Sequence, residues 1–271
     1  MAAFLQPELT SIAFCWRVER RDGVALGCTS HDRDLLIDGL LYRASPGMLP
    51  SAVALSDGFE VNGADVSGAL TSDAITEDDL AAGRWDGTAV SLFMVDWSDP
   101  EGGQSPIARG ELGEISQTGR GFTAELRGPT AALDRPAVEQ TSPECRAELG
   151  DRRCRVDMAA RVRVTRVTAV IGTDCVDVAA GANGNAFAYG RLRWLMGANS
   201  GLDGQVLHSA GARITLRDPI TYPARIGDLV ELAEGCDKAF ATCRQRFGNA
   251  LNFRGEPHLP GIDLLTRYGS G

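Results

Sequence analysis

Lysine is almost missing from this 271-residue chain: Lys238 is the only one, and every other cationic side chain that is charged at neutral pH is an arginine. That bias reads as the mark of a GC-rich genome and carries no functional weight. Acids outnumber Lys and Arg 36 to 27, for a formal net charge of -9 at pH 7. Such a balance argues against general nucleic-acid affinity, which needs a basic surface to release counterions from phosphate. Long hydrophobic runs are also missing, and none approaches the length of a membrane span. The opening "MAAFLQPELTSIAF" lacks the basic start and continuous apolar stretch of a secretory signal. The expectation is a chain made in the bacterial cytoplasm, with no membrane insertion. Seven cysteines, an odd number, in a reducing compartment exclude a disulfide framework and leave metal binding or simple burial.

What is present is strand texture. With 44% hydrophobic residues the chain can bury a proper core. In "SIAFCWRVER" Ile12, Phe14, Trp16 and Val18 alternate with more polar residues, and after an Arg-Asp-Gly turn Val24, Leu26 and Cys28 resume the alternation, which predicts a hairpin. A second hairpin is expected in "LLIDGLLYRA", where Asp38 and Gly39 suit a tight turn. Further strands are expected at "AVSLFMVDW" and "GFTAELRG", with one short helix at "TEDDLAAG", capped by Thr76 and stopped by Gly83. A helix is expected after Ser142, with Pro143 in its first position and Gly150 at its end. Beyond Met158 the segments "RVRVTRVTAVIG", "AFAYGRLRWL", "QVLHSA" and "ARITLRD" predict a small antiparallel barrel or sandwich over 158–232.

Four cysteines bracket that block: Cys145 and Cys154 before it, Cys236 and Cys243 after it. If the block is an inserted domain with neighbouring ends, the two pairs meet and form a four-thiolate site. Asp237 is expected to cap a helix over "KAFATCRQRF", with Cys236 folding back from it. Zinc sites of four cysteines use knuckles with two to four residues between ligands, and none is present here. A larger [4Fe-4S] cube accepts wider separations, although the familiar ferredoxin spacings are also missing. Spacing therefore favours iron-sulfur modestly and leaves zinc, or four unrelated thiols, open.

Other candidates have plainer readings. "HDRD" at 31–34 follows a strand and reads as a capped turn. The acids of "TSDAITEDDL" lack the glycine and ligand spacing of a calcium loop. Cys15, Cys28 and Cys175 read as packed small residues. His258 in "FRGEPHLPG" could face a cysteine in a redox or hydrolytic enzyme, but no oxyanion-forming motif accompanies it, and a rigid tail over the cysteine lobe is the simpler reading.

"EGCDKAFATCRQRFGNALNFRGEPHLPG" and "CRAELGDRRC", together with "CTSHDRDLLIDGLLYRASPG" and "GRWDGTAVSLFMVDW", resemble the hub proteins of gene transfer agents and siphophage tails, a family long carried as conserved hypothetical phage proteins. The likeness spans nearly the whole chain, and its C-terminal part is similar to the minor tail protein L of lambda-like phages. The resemblance implies a mainly β fold with short helices: two β-barrel-like domains plus a small helical iron-sulfur lobe. The expected boundaries are an N-terminal hub domain over 1–140, the first half of the lobe over 141–157, the inserted barrel over 158–232, and the second half of the lobe with a C-terminal tail over 233–271. It implies Cys145, Cys154, Cys236 and Cys243 as ligands of a [4Fe-4S] cluster, with zinc as the alternative. It further implies a structural, non-enzymatic tail-tip hub. Three copies would form a closed homotrimer with two barrels each, meeting the distal tail protein and tail tube, a central tip or fibre protein and a tail-tip peptidase. DNA would only pass through the lumen.

Overall fold

A computed structural model of the chain describes residues 11–44, 63–69, 76–118, 121–128, 138–182 and 184–259. The first ten residues, the "SPG" that ends one family-like motif, Asp73 of "TSDAITEDDL" and the end of the tail from 260 onward lie outside the described residues. The chain divides into two compact units, Met1–Ala137 and Val138–Gly271.

The first unit is built on an eight-stranded sheet. In chain order its strands are β1 (Ile12–Glu19), β2 (Ala25–Thr29), β3 (Leu35–Ile37), β4 (Leu40–Ala44), β5 (Gly63–Ala69), β6 (Ala89–Asp96), β7 (Gln104–Thr118) and β8 (Gly121–Arg127). Across the sheet they run β3-β4-β2-β1-β6-β7-β8-β5. Both expected hairpins form, and Asp38 and Gly39 take φ of 48° and 75°, the left-handed pair that a two-residue hairpin turn requires. The β2 and β4 strands pair in parallel and the other neighbours antiparallel. The helix α1 (Glu77–Ala81) is capped as expected, the Thr76 hydroxyl accepting from the Asp79 N–H at 3.1 Å.

Strand period places alternate residues of β1 on opposite faces, and each face has its own cluster. Trp16, Val18, Val90 and Leu92 pack with Trp85 on one side. Ala13, Cys15, Tyr42, Phe93 and Val95 pack on the other. Each such large buried side chain contributes about 1.5–3 kcal/mol.

The second unit holds five antiparallel strands: β9 (Val162–Ile171), β10 (Cys175–Ala182), β11 (Arg191–Trp194), β12 (Asp203–Leu216) and β13 (Leu229–Ala233). They close into a barrel in the order β10-β12-β11-β13-β9. Its single core is anchored by Val176, Phe187, Leu192, Ile214, Val230 and Leu232, all fully buried. "QVLHSA" and "ARITLRD" are one strand, β12, and not two. It bends at Gly211 (φ 61°), whose carbonyl would collide with a Cβ on Gly181. "AFAYG" is turn, so β11 begins only at Arg191. Tyr189 there adopts φ 61°, and the backbones of Gly190 and Gly235 approach too closely for a Cβ on either.

Closure sets up the rest of the unit. Val162 at the start of β9 pairs with Ala233 at the end of β13, and Glu234 N–H donates to the Arg161 carbonyl at 2.9 Å. The segments entering and leaving the barrel therefore lie side by side. Among the described residues no helix is long and apolar enough to cross a membrane.

Candidate metal-binding lobe

The expected helix over Ser142–Gly150 does not form; the chain from 142 to 154 is a series of bends and turns, so Cys145 is not in the first turn of a helix. The reason lies in Asp151, whose carboxylate accepts from the N–H groups of Glu148 (3.0 Å), Arg153 (2.8 Å) and Cys154 (2.6 Å). A side chain that takes the local N–H groups competes directly with helical hydrogen bonding. These bonds, led by that from Cys154, hold the Asp151 carboxyl below its usual range.

The segment around Cys145 is clamped between two distant stretches. Cys145 N–H donates to the Lys238 carbonyl at 2.9 Å and Arg146 N–H to the Arg254 carbonyl at 3.0 Å. Glu256 closes the other side: its N–H donates to the Ser142 carbonyl at 2.8 Å, and its carboxylate accepts from Ser142 N–H at 2.9 Å. That carboxylate also receives both ends of the Arg146 guanidinium, at 2.7 and 2.9 Å. The bidentate pair, then the Ser142 bond, pulls the Glu256 carboxyl down to about 2. Gly255 must be glycine, because a Cβ would strike the Glu144 carbonyl.

On the C-terminal side, α2 (Phe240–Gln245) carries Cys243 and is capped by Ala239, not Asp237. Asp237 instead accepts from Ala239 N–H at 3.0 Å and the Thr242 hydroxyl at 2.8 Å, bracing the turn before the helix. The fold-back expected at Cys236 is supplied by Lys238, whose φ of 64° reverses the chain. Lys238 also reaches across the lobe, its Nζ donating to the Ala147 carbonyl at 2.7 Å and pairing with Glu148 at 2.9 Å.

These constraints place Cys145, Cys154 and Cys236 near enough to Cys243 to act on its thiol. Burial raises the Cys243 thiol first, and Cys145, Cys154 and Cys236 each raise it further. Burial also raises Cys236, with Asp237 and Cys145 adding to the effect and the Lys238 N–H opposing it. Sulfur acceptors have N–H donors at hand: Arg254 N–H lies 3.4 Å from Cys145 Sγ and the Asn249 amide 3.6 Å from Cys154 Sγ. Asn249 spans both pairs, because its amide also donates to the Cys154 carbonyl at 2.6 Å while its own carbonyl accepts the Cys243 thiol at 3.4 Å. Cys154 and Cys243 are buried; Cys145 and Cys236 are half-buried, and Cys236 lines a groove of about 570 Å³.

A buried Cys243 thiol raised by three neighbouring cysteines, with N–H donors beside the sulfurs of Cys145 and Cys154, belongs to a donor set suited to thiolates neutralised by a shared cationic centre. Among the described residues, no three Cys, His, Asp or Glu side chains form a group spaced to hold a single metal ion. The sulfurs sense one another without converging on one point.

The remaining cysteines stand apart. Cys15 is fully buried and donates to the Thr29 hydroxyl at 3.5 Å; Cys28 packs against the Trp16 cluster. Cys175 opens β10, where the Thr215 hydroxyl donates to its sulfur at 3.8 Å. His31 lies in a turn, its ring 5.1 Å from that of Trp97. His258 is exposed and has no hydrogen bond to any of the four thiols among the described residues. Asn249 and the left-handed Lys238 escaped sequence reasoning, although the isolation of a single lysine between two candidate ligands was a usable signal.

A family model described as "Baseplate hub protein, N-terminal attachment domain" matches residues 1–157. Another, "Phage conserved hypothetical protein BR0599", matches residues 185–263. The first match contains Cys145 and Cys154 and the second contains Cys236 and Cys243, so the lobe is split between them. A solved chain in "Virion of native gene transfer agent (GTA) particle" is 41% identical, with a TM-score of 0.81, covering 99% of this chain and 96% of that one. A search of curated proteins finds no match.

Proposed function

This chain belongs to the baseplate hub protein family, and on that premise we propose that it is a structural hub of a phage-like tail tip whose lobe is stapled by a [4Fe-4S] cluster. In this reading the protein is made in the cytoplasm and assembles into a virion-like particle, as part of the baseplate. Three copies close a ring around the tail axis, because a heterologous contact that closes avoids an open filament. The ring joins the distal tail protein and tube to the central tip protein, and DNA passes through without being gripped, in keeping with the acidic balance of the chain. The role is structural and not enzymatic.

The observation that supports the reading is that the two cysteine pairs flank the first and last strands of a closed barrel, whose ends Val162 and Ala233 are paired, with Cys145, Cys154 and Cys236 all acting on Cys243. Cys145, Cys154, Cys236 and Cys243 would hold the cluster, which when bound supplies four iron-thiolate bonds and no redox step to the role. The chain's own part is to fix the sulfurs: Lys238 ties Cys145 to the turn after Cys236, and Asn249 ties Cys154 to Cys243. A zinc staple on the same thiols is the alternative. Protein purified without oxygen is expected to be brown, with broad absorption near about 400 nm and roughly four irons and four acid-labile sulfides per chain. Stoichiometric zinc without iron would replace the cluster by the zinc staple.

A further inference from the structure

Three strands of the first unit carry a row of side chains that the cysteine lobe does not explain. Arg17 on β1 lies opposite Ser91 on β6, and Ser91 lies opposite Arg109 on β7. Directly opposed residues of antiparallel strands share a face, so the row reads Arg, Ser, Arg across the sheet. With neighbouring strands about 4.8 Å apart, the two arginine backbones stand roughly 10 Å apart with a hydroxyl between them. All three line one groove of about 450 Å³. Its apolar part is formed by Tyr42 and Phe93, both buried, which meet edge to face at 5.6 Å.

The groove is lined by two arginines, Arg17 and Arg109, and one acid, Asp38. Arg17 is oriented by Glu19, which accepts from its Nε at 3.2 Å, and by the Tyr42 hydroxyl. Asp38, the acid lining the groove, accepts from the Gln104 amide at 2.6 Å. Arg109 is exposed, and its guanidinium has no hydrogen bond or ion pair among the described residues. Two arginines that line one groove and flank a hydroxyl-bearing residue across the sheet favour an anion between them. Their planar forks match a carboxylate.

We propose that this groove receives an Asp or Glu side chain from an extended segment of another particle protein. Arg17 and Arg109 hold its carboxylate from two sides, and Ser91 donates from below. The aromatic floor selects a protein segment over a free anion, because it offers an apolar bed for the stem of the acidic residue and for its neighbours. The identity of the partner as a particle protein rests on the baseplate reading; the groove chemistry does not.

The test places a photo-cross-linking residue at Pro106, which is exposed at the groove, and irradiates intact particles. The expected product joins this chain to a segment of a different particle protein with Asp or Glu within a few residues of the cross-link. Arg109→Glu should lower incorporation into particles about tenfold while Arg109→Lys costs less than about threefold, the pattern of a charge contact. Thermal unfolding of both variants should match the parent. A cross-linked segment without acid, no cross-link to another protein in particles that contain the chain, or normal incorporation of Arg109→Glu would each overturn the proposal. If the unaltered chain is missing from particles, the baseplate reading falls. The groove is then judged on purified protein titrated with a hexaglutamate peptide and, separately, with inorganic phosphate. Peptide binding that Arg109→Glu abolishes supports it; binding of phosphate alone, or of neither, overturns it.

Discussion

The two units bury their apolar residues by different routes. The first spreads them over both faces of one sheet, whose strand order ends at β3 and β5. The second folds five strands onto themselves around a single core. Closure has a by-product that an open sheet lacks: the first and last strands of the barrel become neighbours, so segments remote in sequence are delivered to one place. An open sheet instead presents rows of side chains across successive strands. The cysteine lobe follows from closure of the barrel and the Arg17–Ser91–Arg109 row from the open sheet.

The most severe way to probe this contrast is to remove the staple. Changing Cys145, Cys154, Cys236 or Cys243 to Ser should release the metal and lower the stability of the second unit by several kcal/mol, since ligation free energy is folding free energy. The same change at Cys15, Cys28 or Cys175 should leave iron content unaltered. Equal behaviour of all seven, read by iron assay and denaturant unfolding, would break the ligand assignment.

Next in size are core truncations. Leu232→Ala in the barrel and Leu92→Ala in the sheet should each cost about 2–5 kcal/mol, since both side chains are almost completely buried. Calorimetry should show each change moving the transition of its own unit and leaving the other in place. A single shared transition moved by either would show that the units do not unfold separately.

The smallest effect is electrostatic. The Glu256 carboxyl, held at about 2 by Arg146 and then Ser142, has a depressed folded value. Its contribution is therefore fully present above the ordinary glutamate range and is lost as pH falls through that range towards about 2. Asp96 in the first unit is lowered by the Ser11 and Ser98 hydroxyls, not by an arginine, and loses its contribution in the same direction. Acid titration of unfolding should show both losses. Salt should weaken only the one resting on an ion pair, and Glu256→Gln should remove it.

Much of this architecture was legible in the chain. Alternation located β1, β2, β6 and β9, and Asp38-Gly39 identified its own turn because few dipeptides accept two left-handed conformations. Two cysteine pairs bracketing a strand-rich block suggested a shared site, and closure of the barrel sets the segments that lead to them side by side. The helix after Ser142 was misread because Pro143 and Gly150 signal helix ends from local chemistry, whereas Asp151 acts through bonds that exist only once the turn has formed. Strands β10 and β13 carry little local signal, since "CVDVAAGA" ends in small residues and "LVELA" is only five residues long. The arginine row could not be read at all, because strand register is a tertiary property, and 92 and 93 are further offset by a bulge.

The position of the barrel inside the lobe also has a consequence in time. Cys236 follows Cys154 by roughly 80 residues, so at about 5–20 residues per second the ribosome takes several seconds to produce the second pair after the first. Throughout that interval Cys145 and Cys154 exist without Lys238 and Asn249, the residues that later fix their surroundings. Strand β13 is also made last among the barrel strands, just ahead of Cys236, so closing the barrel and completing the lobe fall at nearly the same moment. The second cysteine pair is thus made only once every barrel strand exists, and a chain cut before β13 would lack both the closing strand and that pair.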